Sequence, residues 1–555
     1  MCARGPPSHH GKASVWLLMS VYVLVTVIKK RIGIDASLYA LLQVLSVTPF
    51  RENAIAARLR DRSIDRKSAQ SIQPTDSVWF LARDYLSGLA RIFHQDRSAA
   101  RPEGALSLVS DVNEQPELPM PKCTEGRIEF GRVGRRIIEA NFDGGDLSSD
   151  GGLMLLRRVD ERIGLSRAGA AALDDARDPS RITHSLRDLI AQRLYALCCG
   201  YEDLNDHDAL RADLLMQTAV GRVEPLASAP TLCRLEARAT GEQAAALHAV
   251  LVDQFIASFD VPPAELVLDI DASDVPLHGQ QERSGFHAYY DHHCYLPLYV
   301  FCGQVMLACY LRRSRIDGAK NATALIKVLI QRLRQVWPGV GLIVRGDSGF
   351  CRQRLLRWCE RANVRYIVGL ARNGRLEAQV QYAELMLAED YARTLTKQRL
   401  IGEFAYAADS WDIERRVITR LEYGVQGTNP RFVVTNLDGA ASDLYERLYC
   451  ARGEAENRIK EAQLDLFGTR ASCHRFAANQ LRLLLAALAY TLMQRLRELA
   501  LAGSELERAS AATIRWRLLK IGAAIVRNTR RLRILLASHH PLRALFFTAV
   551  QALAP

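Results

Sequence analysis

ELVLDIDASD (Glu265–Asp274) and VGLIVRGDSGF (Val340–Phe350) decide the fold of this 555-residue chain. Each is a short apolar run rich in Leu, Val and Ile that ends in a carboxylate. That is the pattern of a buried strand delivering an acid at its C-terminal end. Side chains alternate along a strand, so Asp269 and Asp271 share one face, and Asp274 lies just past it. In the second run Asp347 ends the strand, and Ser348 and Gly349 turn into a helix predicted over Arg352–Ala362. An Asp after a strand is commonly only a turn former or cap. Two acids at two equivalent strand ends carry more weight.

Working outward, LPLYVFCGQVMLACYL (Leu296–Leu311) reads as two strands meeting at Gly303, a hairpin by composition. Helical periodicity follows over Ala319–Val336, stopped by Pro338, and RYIVGLAR (Arg365–Arg372) supplies a further strand. The order is three strands, helix, strand, helix, strand. It predicts an α/β, ribonuclease-H-like core in which the first and fourth strands lie side by side and bring their terminal acids together. A third acid sits in LYERLYCARGEAENRIKEAQLDLF (Leu444–Phe467). There Tyr449, Arg452, Glu456 and Lys460 are spaced three, four and four apart and line one helical face, while Glu454 points elsewhere. Alone, this would read as a solvated amphipathic helix.

Tyr-x-x-Arg-x-x-x-Glu resembles the signature of a large group of insertion-sequence transposases of the Asp, Asp, Glu type. LDIDASDVPLHGQQ, YYDHHCYLPLYVFCG, RGDSGFCR and ENRIKEAQLDLF resemble the insertion-sequence 1380 family, in the right order, from about Cys123 to the C-terminus. The resemblance implies a bacterial DNA transposase that cuts element ends and joins them to target DNA using two Mg2+ ions, with Mn2+ as a substitute. The two ions would lie about 3.5–4 Å apart. Asp271 would bridge them, with Asp347 and Glu456 holding one each. One ion would activate water or a DNA 3′ hydroxyl and the other would stabilise the leaving oxygen. Arg452 would reach a DNA phosphate with Tyr449 beside it. The implied partners are double-stranded DNA, both terminal inverted repeats and target, and a second copy of the chain. The implied location is the bacterial cytoplasm, at the nucleoid. One departure stands out: the wider group often carries a Lys seven residues beyond the Glu, where this chain has Gln463. Lys460, one turn earlier on the same face, is the cation available for that job. Two other readings compete: a ribonuclease-H-like nuclease without strand transfer, and an inactive relic.

Composition agrees without deciding. Hydrophobic residues make up 49% and charged residues 24%, a globular profile, and the formal net charge of +12 favours polyanions. The 12 cysteines are scattered without a Cys-x-x-Cys pair, which points to reduced thiols rather than disulfides or structural zinc. HAYYDHHC (His287–Cys294) matches no zinc spacing and reads as a polar loop or strand edge.

Five segments are expected. Residues 1–119 read as an extraneous extension and linker. They contain an apolar run (Val15–Ile28), a stretch resembling the tail of another transposase group (11–59), and a polar, then Pro-rich spacer, so the working protein should begin at Met120. Residues 120–262 read as a mainly helical DNA-end-binding region that opens with a strand pair over Arg127–Phe142. Its helices are predicted from near Gly152, over His184–Cys199, over Asp206–Val220 and over Thr231–Arg238, with Thr231 as a cap. Residues 263–372 hold the first part of the core and 373–440 a mostly β insertion. Residues 441–555 complete the core with the Glu-bearing helix and an Arg-rich, helical C-terminal region.

Overall fold

The chain, seen in a computed structural model that describes residues 127–554, enters as a hairpin of β1 (Ile128–Val133) and β2 (Arg136–Ala140), then a two-residue strand, β3 (Leu147–Ser148). All described residues lie within the unit Pro119–Pro555. The expectation for residues 1–119 lies outside them. Helices follow at Leu153–Ile163, Leu165–Ala171, Leu186–Cys199, His207–Leu210, Leu214–Val220, Ala229–Ala237 and Gly241–Ile256. Local chemistry sets their ends. Ser185 and Asp188 form a reciprocal capping box for Leu186–Cys199, which Gly200 closes in the left-handed region. Thr240 and Gln243 do the same for Gly241–Ile256. Thr231 does not cap its helix. The helix starts at Ala229 after an extended Ser228, and Pro230 occupies the first turn, where a missing N–H is tolerated.

The central sheet contains β4 (Glu265–Ala272), then, after the small strands β5 (Val275–Pro276), β6 (Gly285–His287) and β7 (His292–Tyr295), the strands β8 (Leu298–Cys302), β9 (Val305–Tyr310), β10 (Gly341–Gly346) and β11 (Arg365–Leu370). Its spatial order includes β9-β8-β4-β10-β11. β10 runs parallel to β4 and β11, whereas β8 is antiparallel to β4 and β9. This is the ribonuclease-H-like core: third, second, first, fourth and fifth strands side by side. Helices Ala322–Val336 and Gln353–Arg361 provide the crossovers that parallel pairing demands. Leu266, Leu268, Ile270, Leu342 and Val344 pack into one apolar cluster with those helices. Alternate residues, Val267, Ile343 and Ile367, join Leu444 and Tyr445 on the other face. Gly303 turns the β8–β9 hairpin at φ 56, and the histidine-rich stretch forms β6, a turn and β7.

Segment 373–440 holds more strand than helix, as expected, but joins the central sheet. It opens with a helix, Gly374–Thr394, and its strands β12 (Gln398–Tyr406), β13 (Arg415–Gly424), β14 (Gly427–Thr428) and β15 (Arg431–Thr435) do not form a separate body. β15 pairs with β11, and β13 and β12 continue the same sheet. Without β15, β11 would leave a row of unpaired backbone groups. RFVVT, buried from Phe432 to Thr435, covers that edge.

The C-terminal region is helical only in part. Thr513–Ser538, expected to be helical, is helical only to Leu519 and then forms the hairpin β16 (Ala523–Arg527) and β17 (Leu532–Leu536), with β3 on its edge. The alternation in LRILL suits a strand half covered on one side. The Asn528 carboxamide oxygen accepts from Arg530 N and Arg531 N to fix the turn. Helix Phe476–Ala500 is long and apolar enough to cross a membrane but is buried inside the fold. It shares one apolar cluster with Leu153–Ile163, Leu186–Cys199 and Gly241–Ile256, so the core does not divide at residue 262. Helix Leu186–Cys199 is buried from Leu189 to Cys199 and offers little surface to a DNA groove.

Candidate active site

Parallel pairing of β4 and β10 aligns Ile270 with Gly346. Asp271 and Asp347 each follow those partners, so they stand together at the C-terminal ends of adjacent strands. One step back, Asp269 is aligned with Arg345. The pair is bidentate and buried, with Arg345 Nε 2.5 Å and Nη2 2.7 Å from the two carboxylate oxygens. Arg345 Nη1 also donates to the Leu448 carbonyl. Asp269 is therefore held by a cation that ties β4 and β10 to the Glu-bearing segment, while Asp271 faces the site.

That segment runs from Ala441 to Asp465 as successive helical turns, wide over Leu444–Tyr449, tight over Cys450–Arg452, regular over Gly453–Lys460 and wide again over Glu461–Asp465. Leu444 and Tyr445 anchor it on the sheet. Arg452 Nη1 lies 2.7 Å from Glu456 Oε1 and 3.6 Å from Asp271 Oδ2, bridging the helix acid and the strand acid. Tyr449 places its hydroxyl over Gly369 of β11. A Cβ added at Gly369 would come within 2.7 Å of both Tyr449 Oη and Ser348 N. Lys460 is exposed. Gln463 turns inward, donating to the Asp274 carbonyl at 3.0 Å and meeting the Ser273 hydroxyl at 3.2 Å. The position that carries a Lys in the wider group is here a clamp on the loop after β4.

Burial and the neighbouring Asp347, with a further push from Glu456, raise the Asp271 carboxyl to about 7 against the pull of the Ala272 N–H and Arg452. Burial works against charge on Arg452, but Glu456, Asp271, Tyr449 and Asp347 hold its guanidinium above its ordinary range. Asp347 Oδ1 accepts from Gly349 N at 2.9 Å, so this residue also caps its turn. Among the described residues no three His, Cys, Asp or Glu side chains gather closely enough to hold a metal ion. Arg452 occupies the space between two of the three acids. Even so, a buried carboxylate that resists ionising beside two others has unmet demand for positive charge, and carboxylate oxygens are the donors that Mg2+ or Mn2+ takes. The donor chemistry, though not the present spacing, suits a divalent metal.

Sequence reasoning brought Asp271, Asp347, Tyr449, Arg452 and Glu456 to one place. It missed Arg345 and Gly369. A charged residue inside a buried strand and a glycine inside RYIVGLAR were the available signals, the second marking a close approach.

No curated protein matches the chain. A cryo-EM structure of a piggyBac transposase synaptic complex with hairpin DNA is similar over 67% of this chain and 80% of that chain, at 12% identity and a TM-score of 0.35. The model of the family described as Transposase DDE domain group 1 matches residues 130–555, most of the chain, and the chain belongs to that family.

Proposed function

We propose that this transposase is the enzyme of a bacterial insertion sequence, resembling the insertion-sequence 1380 family, and that it cuts the element's ends and joins them to target DNA. The observation that carries the reading is the convergence of Asp271 and Asp347 at adjacent strand ends with Glu456, which Arg452 links to Asp271. Asp271, Asp347 and Glu456 would hold divalent magnesium. Bound there, the metal supplies charge neutralisation at the entering and leaving oxygens of an in-line phosphoryl transfer. Arg452, released from its carboxylate partners, presents its guanidinium to a DNA phosphate, and Tyr449 braces it from the β11 side. Lys460, exposed one turn on, adds a second cation for the backbone. The partners are terminal-repeat and target DNA together with a second copy of the chain, in the cytoplasm at the nucleoid.

The test is incubation of the purified chain with duplexes taken from the DNA flanking its own reading frame. Nicking and joining that require Mg2+ or Mn2+ and stop in EDTA support the reading. Binding without any cleavage in either metal would make the chain a relic, and cleavage without joining would make it a nuclease.

A further inference from the structure

The ribbon β1–β2 stands apart from the apolar clusters that hold the other described residues together. β2 is exposed along its whole length, as is β1 from Phe130 to Val133. Phe130, Val133 and Ile137 are 63%, 68% and 47% exposed. An isolated two-stranded hairpin is at best marginally stable in water, so a ribbon wet on both faces adds little to the fold by itself. Yet its turn is well formed. Gly134, at φ 62, is the first of two turn residues, Gly134 and Arg135, a position for which hairpins of this twist favour glycine. Among the described residues nothing lies within 4 Å of where a Cβ would project from Gly131 or Gly134.

Charge is distributed unevenly along the ribbon. Arg132, Arg135 and Arg136 fall within five residues at the tip, all exposed, with no acid among them. The acids Glu129 and Glu139 face each other nearer the base, where Arg127 lies 3.7 Å from Glu139. The base, with two Glu and one Arg, is net acidic and the tip is cationic. Like tips would repel, which disfavours a second copy as the occupant, whereas a polyanion would be attracted. The major groove of duplex DNA is about 12 Å wide and admits a two-stranded ribbon.

We infer that β1–β2 is an arm that lays its tip in a groove of duplex DNA. Arg132, Arg135 and Arg136 meet phosphates, and Val133 and Ile137 pack against sugar and base edges. The inference rests on the reading of the chain as a DNA-processing enzyme. It goes beyond that reading by assigning a DNA contact to a segment outside both the catalytic site and the buried helices.

The test uses the full chain with Arg132→Ala, Arg135→Ala and Arg136→Ala together, and a second triple variant with Lys at the same positions. Binding to a fluorescent end duplex is followed by anisotropy from 50 to 200 mM KCl, alongside thermal unfolding and sedimentation. Each phosphate contact contributes about 0.9 to the slope of log affinity against log salt. The Ala variant should flatten that slope by about 2–3 and lose at least roughly tenfold in affinity at 100 mM salt. Its melting should be unchanged, and the Lys variant should keep most of the slope. An unchanged slope and affinity in the Ala variant would overturn the arm while leaving the enzyme reading intact. A dimer falling to monomers at unchanged DNA affinity would make the arm a protein contact and overturn it too. Failure of the wild-type chain to bind any duplex would overturn the enzyme reading and the arm together.

Discussion

Two carboxylates two residues apart on β4 should respond to the same substitution with opposite signs. Asp269→Asn leaves the Arg345 guanidinium, 8% exposed, without its carboxylate partner. Removing one partner of such a buried pair costs about 3–5 kcal/mol. Asp271 differs: burial pushes the Asp269 carboxyl up too, but the bidentate Arg345 pulls it back, whereas burial and Asp347 raise the Asp271 carboxyl from 3.8 to about 7. At 1.36 kcal/mol per pH unit that rise has a ceiling of about 4 kcal/mol, and partial exposure with Arg452 alongside reduces it to about 1–3 kcal/mol. A folded-state value above the unfolded one disfavours the native state as the group ionises. The stability is fully present below about pH 4, falls as pH rises towards 7, and is lost above that. At pH 8 in EDTA, Asp271→Asn should therefore unfold at higher urea than wild type, and the two should converge near pH 4. Adding Mg2+ at pH 8 should stabilise wild type and leave Asp271→Asn behind. Urea unfolding across this pH range measures all of it. A neutral Asp269→Asn, or an Asp271→Asn that destabilises the metal-free protein at pH 8, would refute the division of labour on this strand.

Further outcomes follow from other contacts. Gly369→Ala drives a Cβ into Tyr449 Oη and the Ser348 backbone. Cleavage should fall at least about tenfold at unchanged DNA affinity, since a shift near 1 Å at a reacting centre costs on that order or more; single-turnover assays with matched binding data check this. Gln463→Lys places a charge where an amide clamps Asp274 and Ser273, and should cost about 1–3 kcal/mol in urea unfolding without raising cleavage. His207, fully buried, is pushed down to about 3 by burial and then by Arg193, whose Nη1 is 3.0 Å from its Nε2. Its folded-state value lies below the unfolded one, so its contribution is present above about pH 6.5 and drains away as pH falls towards 3. Relative to His207→Gln, wild type should lose about 2–3 kcal/mol between pH 7 and 4.5.

The elements that carry the candidate site are legible in the sequence because their signals are local. Apolar runs ending in acids gave β4 and β10, and a three-four-four spacing gave the face of the Glu-bearing helix. Pairing partners were not legible. Nothing in RFVVT says that it will close the edge of β11, since any exposed ladder would accept it. LRILL has the composition of a helix as readily as of a strand, and only its contact with β16 settles the matter. The helical region before β4 resembles a separate DNA reader in sequence because its helices are short and studded with Arg. Its burial against Phe476–Ala500 depends on a helix more than two hundred residues away. Within the site, Asp269 and Asp271 were indistinguishable by period. What separates them is Arg345, placed opposite Asp269 by register.

The central claim is that Asp271, Asp347 and Glu456 together perform DNA strand cleavage. Its most direct test is the single-turnover nicking rate on end DNA in Mg2+ for Asp271→Asn, Asp347→Asn and Glu456→Gln, with affinity measured in parallel and Asp269→Asn assayed below its lowered melting temperature. Each of the first three should lose cleavage by at least about a thousandfold while binding DNA as wild type does, and Asp269→Asn should retain measurable cutting. Cleavage that survives loss of Asp271, Asp347 or Glu456, or that disappears in Asp269→Asn while Asp271→Asn still cuts, would contradict the account.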